Sequence, residues 1–320
     1  CPTGTSCAAW VSSPKKPPEQ DGKKNMKIAI YDDGKLGLVQ DGMVYDVSAA
    51  LTVLPVPDQP WLATRGDLLI AHLEQLCPAI LAALPGAAAK PVGAARFLSP
   101  VQRPSKIIGV PVNYHEHVAE AEADVATFSD RFRGSIEQQG FFLKAVSALV
   151  GPGEGITLRF PDRRNDHEME LGVVIGREAS NIGVDEALSV IAGYAIALDM
   201  VVRGPEDRSL RKSGDSYAVL GPWLVTADEV ADPETLDFFL KVNGETRQES
   251  NTSRMIMKLA EQISYASRFY TLLPGDIIMT GTCEGVGPVT PGDTITCAIE
   301  GIADMTVAIH PAYADQRILK

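Results

Sequence analysis

The stretch "NDHEMELGVVIG" (residues 165–176) attaches two carboxylates, Glu168 and Glu170, to an apolar run of strand length, Leu171-Gly172-Val173-Val174-Ile175. Residues i and i+2 of a strand share one face, about 7 Å apart. Both glutamates are therefore expected to look the same way. Like charges at that spacing repel, and carboxylates drawn out of water resist ionisation unless a cation or a proton offsets them. A bound divalent metal meets that requirement; a solvent-facing strand edge is the alternative that avoids it.

The next apolar run, "YAIALDMVV" (194–202), reads as a central strand with one acid, Asp199, inside it. A solvated face does not account for Asp199, and a buried carboxylate needs a partner. Between the two runs, "VDEALSVIAGY" places Leu188, Ile191 and Ala192 at helical spacing behind acidic residues suited to a helix N-terminus. The predicted helix ends at Gly193, with Asp185 as its cap. Glu168, Glu170 and Asp199 thus form a candidate metal triad, and oxygen-only ligands favour Mg²⁺, Mn²⁺ or Ca²⁺ over zinc.

Further out, "MKIAIYDDGKLGLVQDGMVYDVS" from Met26 gives three β-prone runs separated by Asp33-Gly34 and Asp41-Gly42, which are hairpin signals. Leu69, Leu73 and Leu76 then recur at helical spacing after Asp67 until Pro78 interrupts. These features predict a small N-terminal α/β domain over residues 26–98. Residues 121–139 read as a long surface loop, followed by a strand in "GFFLKAVSAL". The remainder is β-rich, with a hairpin at Asn243-Gly244, strands in "DIIMTGT" and "TITCAIE", and one helix presenting Met255, Leu259, Ile263 and Ala266 on one face. The fold class is α+β and β-dominated, with a catalytic domain over 99–320. Residues 1–25 read as a disordered leader or a foreign remnant ahead of a native start at Met26.

Composition narrows the function. A net charge of −12 over 320 residues argues against a nucleic-acid binder, which needs clustered Lys and Arg. No apolar run reaches the roughly 20 residues that span a bilayer. Five scattered cysteines without a C-x-x-C pair suit reduced thiols and a cytoplasmic location. His117 and Glu120, three apart in "NYHEHVAE" (113–120), fall on one helical face, where a carboxylate raises the basicity of an imidazole as a general base requires. An ordinary surface pair is the alternative.

Six motifs carry a resemblance: "NYHEHVAE", "FFLK" (141–144), "EMELGVVIG" (168–176), "GYAIALDMVVRG" (193–204), "RKSGDSYAVLGPWLVT" (211–226) and "LLPGDIIMTGTCEGVG" (272–287). In this order, from about Ile107 to Ile309, the chain resembles the fumarylacetoacetate hydrolase family. The resemblance implies a distorted β-roll, usually dimeric, and Mg²⁺ or Mn²⁺ on Glu168, Glu170 and Asp199. It implies that His117 and Glu120 activate water, that Lys212 and Lys144 reach the substrate, and that Arg203, Thr282 and Gly281 hold its polar end. Cys283 stands where the family commonly has proline, and Gly204 lacks a carboxylate common there. The loop after His117 is long for the family and is expected to close as a lid, bringing Arg131 or Arg133 to a second carboxylate. The implied reaction is hydrolysis of a 2,4-dioxo acid such as maleylpyruvate or fumarylpyruvate to pyruvate and a carboxylic acid. Decarboxylation of an oxaloacetate-like acid, tautomerisation of a 2-oxo acid, and noncatalytic metal-dependent binding are the alternatives.

Overall fold

The computed structural model describes residues 26–56, 65–123 and 134–312. The expected leader lies outside these residues, as do Arg131 and Arg133 of the expected lid. The first half of the chain carries strands β1 (Lys27–Tyr31), β2 (Lys35–Gln40), β3 (Met43–Asp46), β4 (Ala89–Pro91), β5 (Phe97–Leu98), β6 (Ile107–Gly109), β7 (Phe142–Lys144), β8 (Leu149–Val150) and β9 (Ile156–Thr157). There follow β10 (Asn165–His167), β11 (Met169–Ile175), β12 (Ile191–Asp199), β13 (Val201–Val202), β14 (Ala218–Thr226) and the hairpin β15 (Asp237–Val242) to β16 (Glu245–Asn251). The chain ends through β17 (Ile277–Met279), β18 (Gly287–Pro288), β19 (Thr294–Ile299) and β20 (Ala303–His310).

Among the described residues these strands form three sheets. The largest runs β4-β3-β2-β1-β14-β12-β11-β17-β6-β7, with β5 on β1 and β8 on β14. A five-stranded sheet runs β16-β15-β19-β20-β9, and a small one runs β13-β10-β18. The N-terminal meander is thus continuous with the central sheet: Lys27 pairs with Val225 and Ile28 with Leu224. Its turns follow from the sequence. Asp41 and Gly42 take φ of 51° and 74°, and Asn243 and Gly244 take 52° and 85°, the left-handed pairs that tight hairpins require.

Strands β11 and β12 lie in the interior of the large sheet and are buried on both faces. Leu171, Val173, Ile196 and Leu198 face a core shared with Leu240 and Val307 of the five-stranded sheet. Val174, Ala195, Ala197 and Leu220 pack on the opposite side. Each fully buried branched side chain such as Ile196 contributes about 1.5–3 kcal/mol. Glu170 and Asp199 share strand parity with the second set, so the acids project from the face lined by small residues.

Four local expectations change, the first at Met255, which precedes the helix Leu259–Phe269 it was expected to join and instead bridges Tyr114. Pro78 does not end its helix: Asp67 caps a first turn (Leu68–Ala71), the chain breaks at His72, and Leu73–Ala83 contains Pro78 in its interior. A proline there costs about 3 kcal/mol, which burial of Leu76 and Ile80 offsets. The helix before β12 is only Val184–Ala187 with a 3₁₀ turn to Val190, its N-cap is Gly183 rather than Asp185, and the strand begins at Ile191. In the expected loop, helix covers His115–Ala123 and Ile136–Gln139, and 124–133 lie outside the described residues.

Candidate active site

Glu168 occupies a one-residue gap between β10 and β11, where the chain passes from the small sheet to the large one. It is therefore not on the same regular strand as Glu170, as the alternation reading assumed. The backbone still holds it to the neighbouring strand, because the Asp199 N–H donates to the Glu168 carbonyl at 2.8 Å. Glu168, Glu170 and Asp199 are all buried, and one carboxylate oxygen from each lies within 4.8 Å of the others.

Cations surround two of the three. Lys212 Nζ donates to Glu168 Oε2 at 2.5 Å and to Asp199 Oδ2 at 2.6 Å. Lys144 Nζ donates to Asp199 Oδ1 and, at 3.4 Å, to the Met200 carbonyl. Arg203 reaches Glu168 Oε1 at 3.3 Å and the buried Asp166 at 2.7 Å. Burial alone would raise the Glu168 carboxyl, but Lys212 and Arg203 overcome it and hold the group at about 2. The same ion pairs keep Lys212 above the ordinary lysine value against burial, whereas burial lowers Lys144.

Glu170 is the exception. Burial first, then the charge of Asp199, pushes its carboxyl well above the usual range. Among the described residues its donor is the Gly281 N–H, at 2.7 Å from Oε2. A buried acid whose charged form is disfavoured, beside two carboxylates that already hold cations, is a site that a hard cation can take over. The all-oxygen donor set fits Mg²⁺ or Mn²⁺.

The helix His115–Ala123 brings His117 to the same place. Its Nδ1 lies 2.9 Å from Glu120 Oε2, and the Gly285 N–H donates to Glu120 Oε1 at 3.2 Å. Gly281 has φ of 98°, and a Cβ there would stand 2.5 Å from Asn113 Cβ; at Gly285, φ is 85° and a Cβ would meet the Arg247 carbonyl at 1.9 Å. The glycines of "TGTCEGVG" thus let backbone N–H groups approach carboxylates closely, and the carboxylates are the protein's own. Thr282 donates from Oγ1 to the Met169 carbonyl and accepts from Gln248 Nε2, both at 2.8 Å, tying this loop to β11.

Several of these groups line a cavity of about 110 Å³. Its wall includes His117, Glu168, Glu170, Asp199, Arg203, Lys212 and Thr282; Lys144 is not part of it and stands behind Asp199. Among the cavity residues, Arg208, Arg211, Gln139 and Glu122 were not singled out in the sequence, nor was Phe142 for itself. Gln248 was missed too, although it is the buried residue of an otherwise polar strand, and its side chain bonds His167 Nδ1 at 3.1 Å and the Met169 N–H at 3.1 Å. His167 is buried against it and does not face the triad's cavity.

Comparison with known proteins places this geometry in company. The model of the fumarylacetoacetate (FAA) hydrolase C-terminal region matches residues 106–310. A maleylpyruvate hydrolase of Aquipseudomonas alcaligenes is 49% identical over 287 residues, 89% of this chain and 99% of that protein. A mitochondrial oxaloacetate tautomerase of Bos taurus is 40% identical over 217 residues, 64% of this chain and 66% of that protein. The crystal structure of maleylpyruvate hydrolase from Sphingobium sp. SYK-6 in complex with manganese(II) ion and pyruvate superposes with a TM-score of 0.75 at 40% identity, over 90% of this chain and all of that one.

Proposed function

The chain belongs to the fumarylacetoacetate hydrolase family, and on that premise we infer that it is a metal-dependent hydrolase of acylpyruvates, cleaving the C3–C4 bond of a 2,4-dioxo acid to pyruvate and a carboxylic acid. The observation that carries the reading is one cavity bringing together three buried carboxylates and an imidazole held by a fourth. Glu168, Glu170 and Asp199 would hold a divalent cation such as Mn²⁺ or Mg²⁺, which would supply positive charge to offset the negative charge that develops as the bond breaks.

The chain's own residues handle the proton and the oxyanion. With Nδ1 turned to Glu120, His117 carries its proton on that side and offers Nε2 as base. It takes a proton from water as the oxygen adds to C4, and returns it to C3 once the C3–C4 pair has moved there, so the cycle closes without net proton change. Lys212 has three donors and gives two to Glu168 and Asp199, leaving a third for the oxyanion at C4. Lys144 fixes Asp199 from behind, and Arg203 and the Gly281–Thr282 turn orient the ligand carboxylates beneath the substrate's polar end.

The substrate class favoured by the two maleylpyruvate hydrolases is an acylpyruvate of the maleylpyruvate or fumarylpyruvate type. A homodimer is in keeping with exposed apolar side chains such as Phe269, 66% exposed. The unbridged thiols Cys283 and Cys297 suit a cytoplasmic setting. Residues 26–98 read as a small domain joined edge-on to the catalytic unit that follows from residue 99.

The test is to incubate metal-free and Mn²⁺- or Mg²⁺-loaded protein with acylpyruvates and with oxaloacetate, following pyruvate, partner acid and CO₂. Metal-dependent release of two acids, lost in His117→Ala, is the expected result. The bovine tautomerase supports a second reading, in which the same residues move a proton between carbon and oxygen of oxaloacetate. Enol–keto interconversion without acylpyruvate cleavage would select it, and CO₂ release would select decarboxylation.

A further inference from the structure

We propose that Gln248 is a positioning residue for the metal site, fixing the change of sheet at Glu168 so that Glu168 and Glu170 converge on one cation. This rests on the metal-dependent reading above and names a residue which that reading does not use.

Gln248 reaches the site from the five-stranded sheet. It is the only buried residue of β16, at 1% exposure, and its amide meets the end of β11 where the metal ligands lie. Its Oε1 accepts from the Met169 N–H and lies 3.1 Å from His167 Nδ1. A backbone N–H only donates, so the Met169 bond identifies that end of the amide as oxygen, and the His167 nitrogen facing it carries the proton. One oxygen therefore grips the residues on both sides of Glu168. The Glu168 carbonyl is held in turn by the Asp199 N–H, so the backbone is fixed at the point where the chain passes from one sheet to another.

The other end of the amide closes the arrangement. Nε2 donates to Thr282 Oγ1 at 2.8 Å and to the Cys283 carbonyl at 3.1 Å, and Thr282 Oγ1 donates to the Met169 carbonyl at 2.8 Å. β17 pairs with β11 as far as Gly172–Met279, and the Thr280 N–H adds a bond to the Leu171 carbonyl. Past that point, the N–H and carbonyl of Met169 bond the side chains of Gln248 and Thr282 in place of a neighbouring strand's main chain. A strand continuing there would spend its N–H groups on β11. With side chains in its place, the Gly281 N–H is left to turn onto Glu170 Oε2. Gln248 thus supports both glutamates, one through its flanking residues and the other through the loop that carries its donor.

The position calls for an amide. It needs an atom that accepts twice and a neighbouring atom that donates twice, a set that neither a carboxylate nor an apolar side chain of the same shape supplies. Groups that orient metal ligands from behind typically govern affinity about 10- to 100-fold through the geometry they fix.

The experiment compares Gln248→Met, which keeps the shape and loses these hydrogen bonds, with Gln248→Glu, which keeps an acceptor oxygen for Met169 and His167 and loses the donors. Mn²⁺ is titrated calorimetrically without substrate, well below the midpoints of thermal melts, with Gly42→Ala as a strained variant remote from the site. Gln248→Met is expected to lose about 10- to 100-fold in Mn²⁺ affinity, Gln248→Glu less than that, and Gly42→Ala none. Wild-type affinity in folded Gln248→Met, even with a lowered melting midpoint, overturns the proposal and leaves the metal-dependent reading in place. Equal losses in Gln248→Met and Gln248→Glu do the same. A wild type that binds no Mn²⁺ overturns that reading, and the proposal with it. Should Gln248→Met not fold, hydrogen exchange in the wild type decides, because coupling between the ion and Gln248 is reciprocal. Mn²⁺ is expected to slow exchange in peptides spanning 245–251 as well as 281–287, and no change at 245–251 overturns the proposal.

Discussion

Gly42 and Gly281 both close a turn with positive φ, 74° and 98°, and they show what separates the N-terminal meander from the catalytic face. At Gly42 a Cβ would meet nothing within 4 Å, so only the backbone angle calls for glycine. At Gly281 a Cβ would strike Asn113, and the N–H it frees is the donor to Glu170. One turn serves the fold alone, and the other brings a peptide dipole against a buried acid. At Gly281 glycine is needed for close approach as well as for φ, and the group approached from its N–H is a triad acid.

The largest effect that sharpens this contrast comes from the acid itself. Glu170→Ala is expected to abolish Mn²⁺ binding in calorimetry and to lower kcat/KM by about three orders of magnitude or more, because the cation contributes several kcal/mol to the charge that develops. A variant that binds Mn²⁺ with wild-type affinity would show that the cluster is not the metal site. His117→Ala comes next: kcat should fall about 10²- to 10⁴-fold while Mn²⁺ affinity is kept, separating proton transfer from metal holding. Gly281→Ala follows, with a stability loss of about 2–4 kcal/mol in urea unfolding and weakened metal affinity, since strain and the displaced donor act together.

The contrast also explains what could be read from sequence. The hairpins at Asp41-Gly42 and Asn243-Gly244 and the acids of β11 and β12 were legible, because turn angles and strand alternation are local rules. The Glu168 gap was not, since a change of sheet leaves no periodic trace. Pro78 misled for the related reason that tertiary burial outweighs a local penalty. The family resemblance, rather than any spacing, pointed to Lys144 and Lys212, whose roles depend on contacts 55 and 44 residues away. Arg208 gave no signal beyond its charge, because its partners Gln139 and Phe142 come from a distant segment.

Protons offer a gentler test of the same acid. The Glu170 carboxyl is raised by burial and by Asp199, above the 4.5 expected in the unfolded chain. Its contribution to metal-free stability is therefore complete below pH 4.5 and is lost as pH rises through the raised folded value. The urea midpoint of metal-free protein should decline across that window. A cation replaces the proton, so Mn²⁺ affinity should climb by up to about tenfold per pH unit there, with about one proton released per ion. Calorimetry in two buffers of different ionisation enthalpy measures that proton. Glu168, held at about 2, adds no such dependence near neutrality. Mn²⁺ affinity that stays flat as pH rises above 4.5 would show that the Glu170 carboxyl is not raised.

The smallest effect belongs to the meander. Gly42→Ala places a methyl group in open space at positive φ, so strain is its main cost, about 1 kcal/mol, visible as a shift in the urea midpoint. Turnover and Mn²⁺ affinity should match the wild type, because the turn touches neither the triad nor the His117 helix. The meander nevertheless joins the central sheet through β1 on β14, and β14 pairs with β12, which ends at Asp199. If Gly42→Ala weakened Mn²⁺ binding as Gly281→Ala does, strain would be passing along that ladder, and the meander would belong to the machinery that positions Asp199.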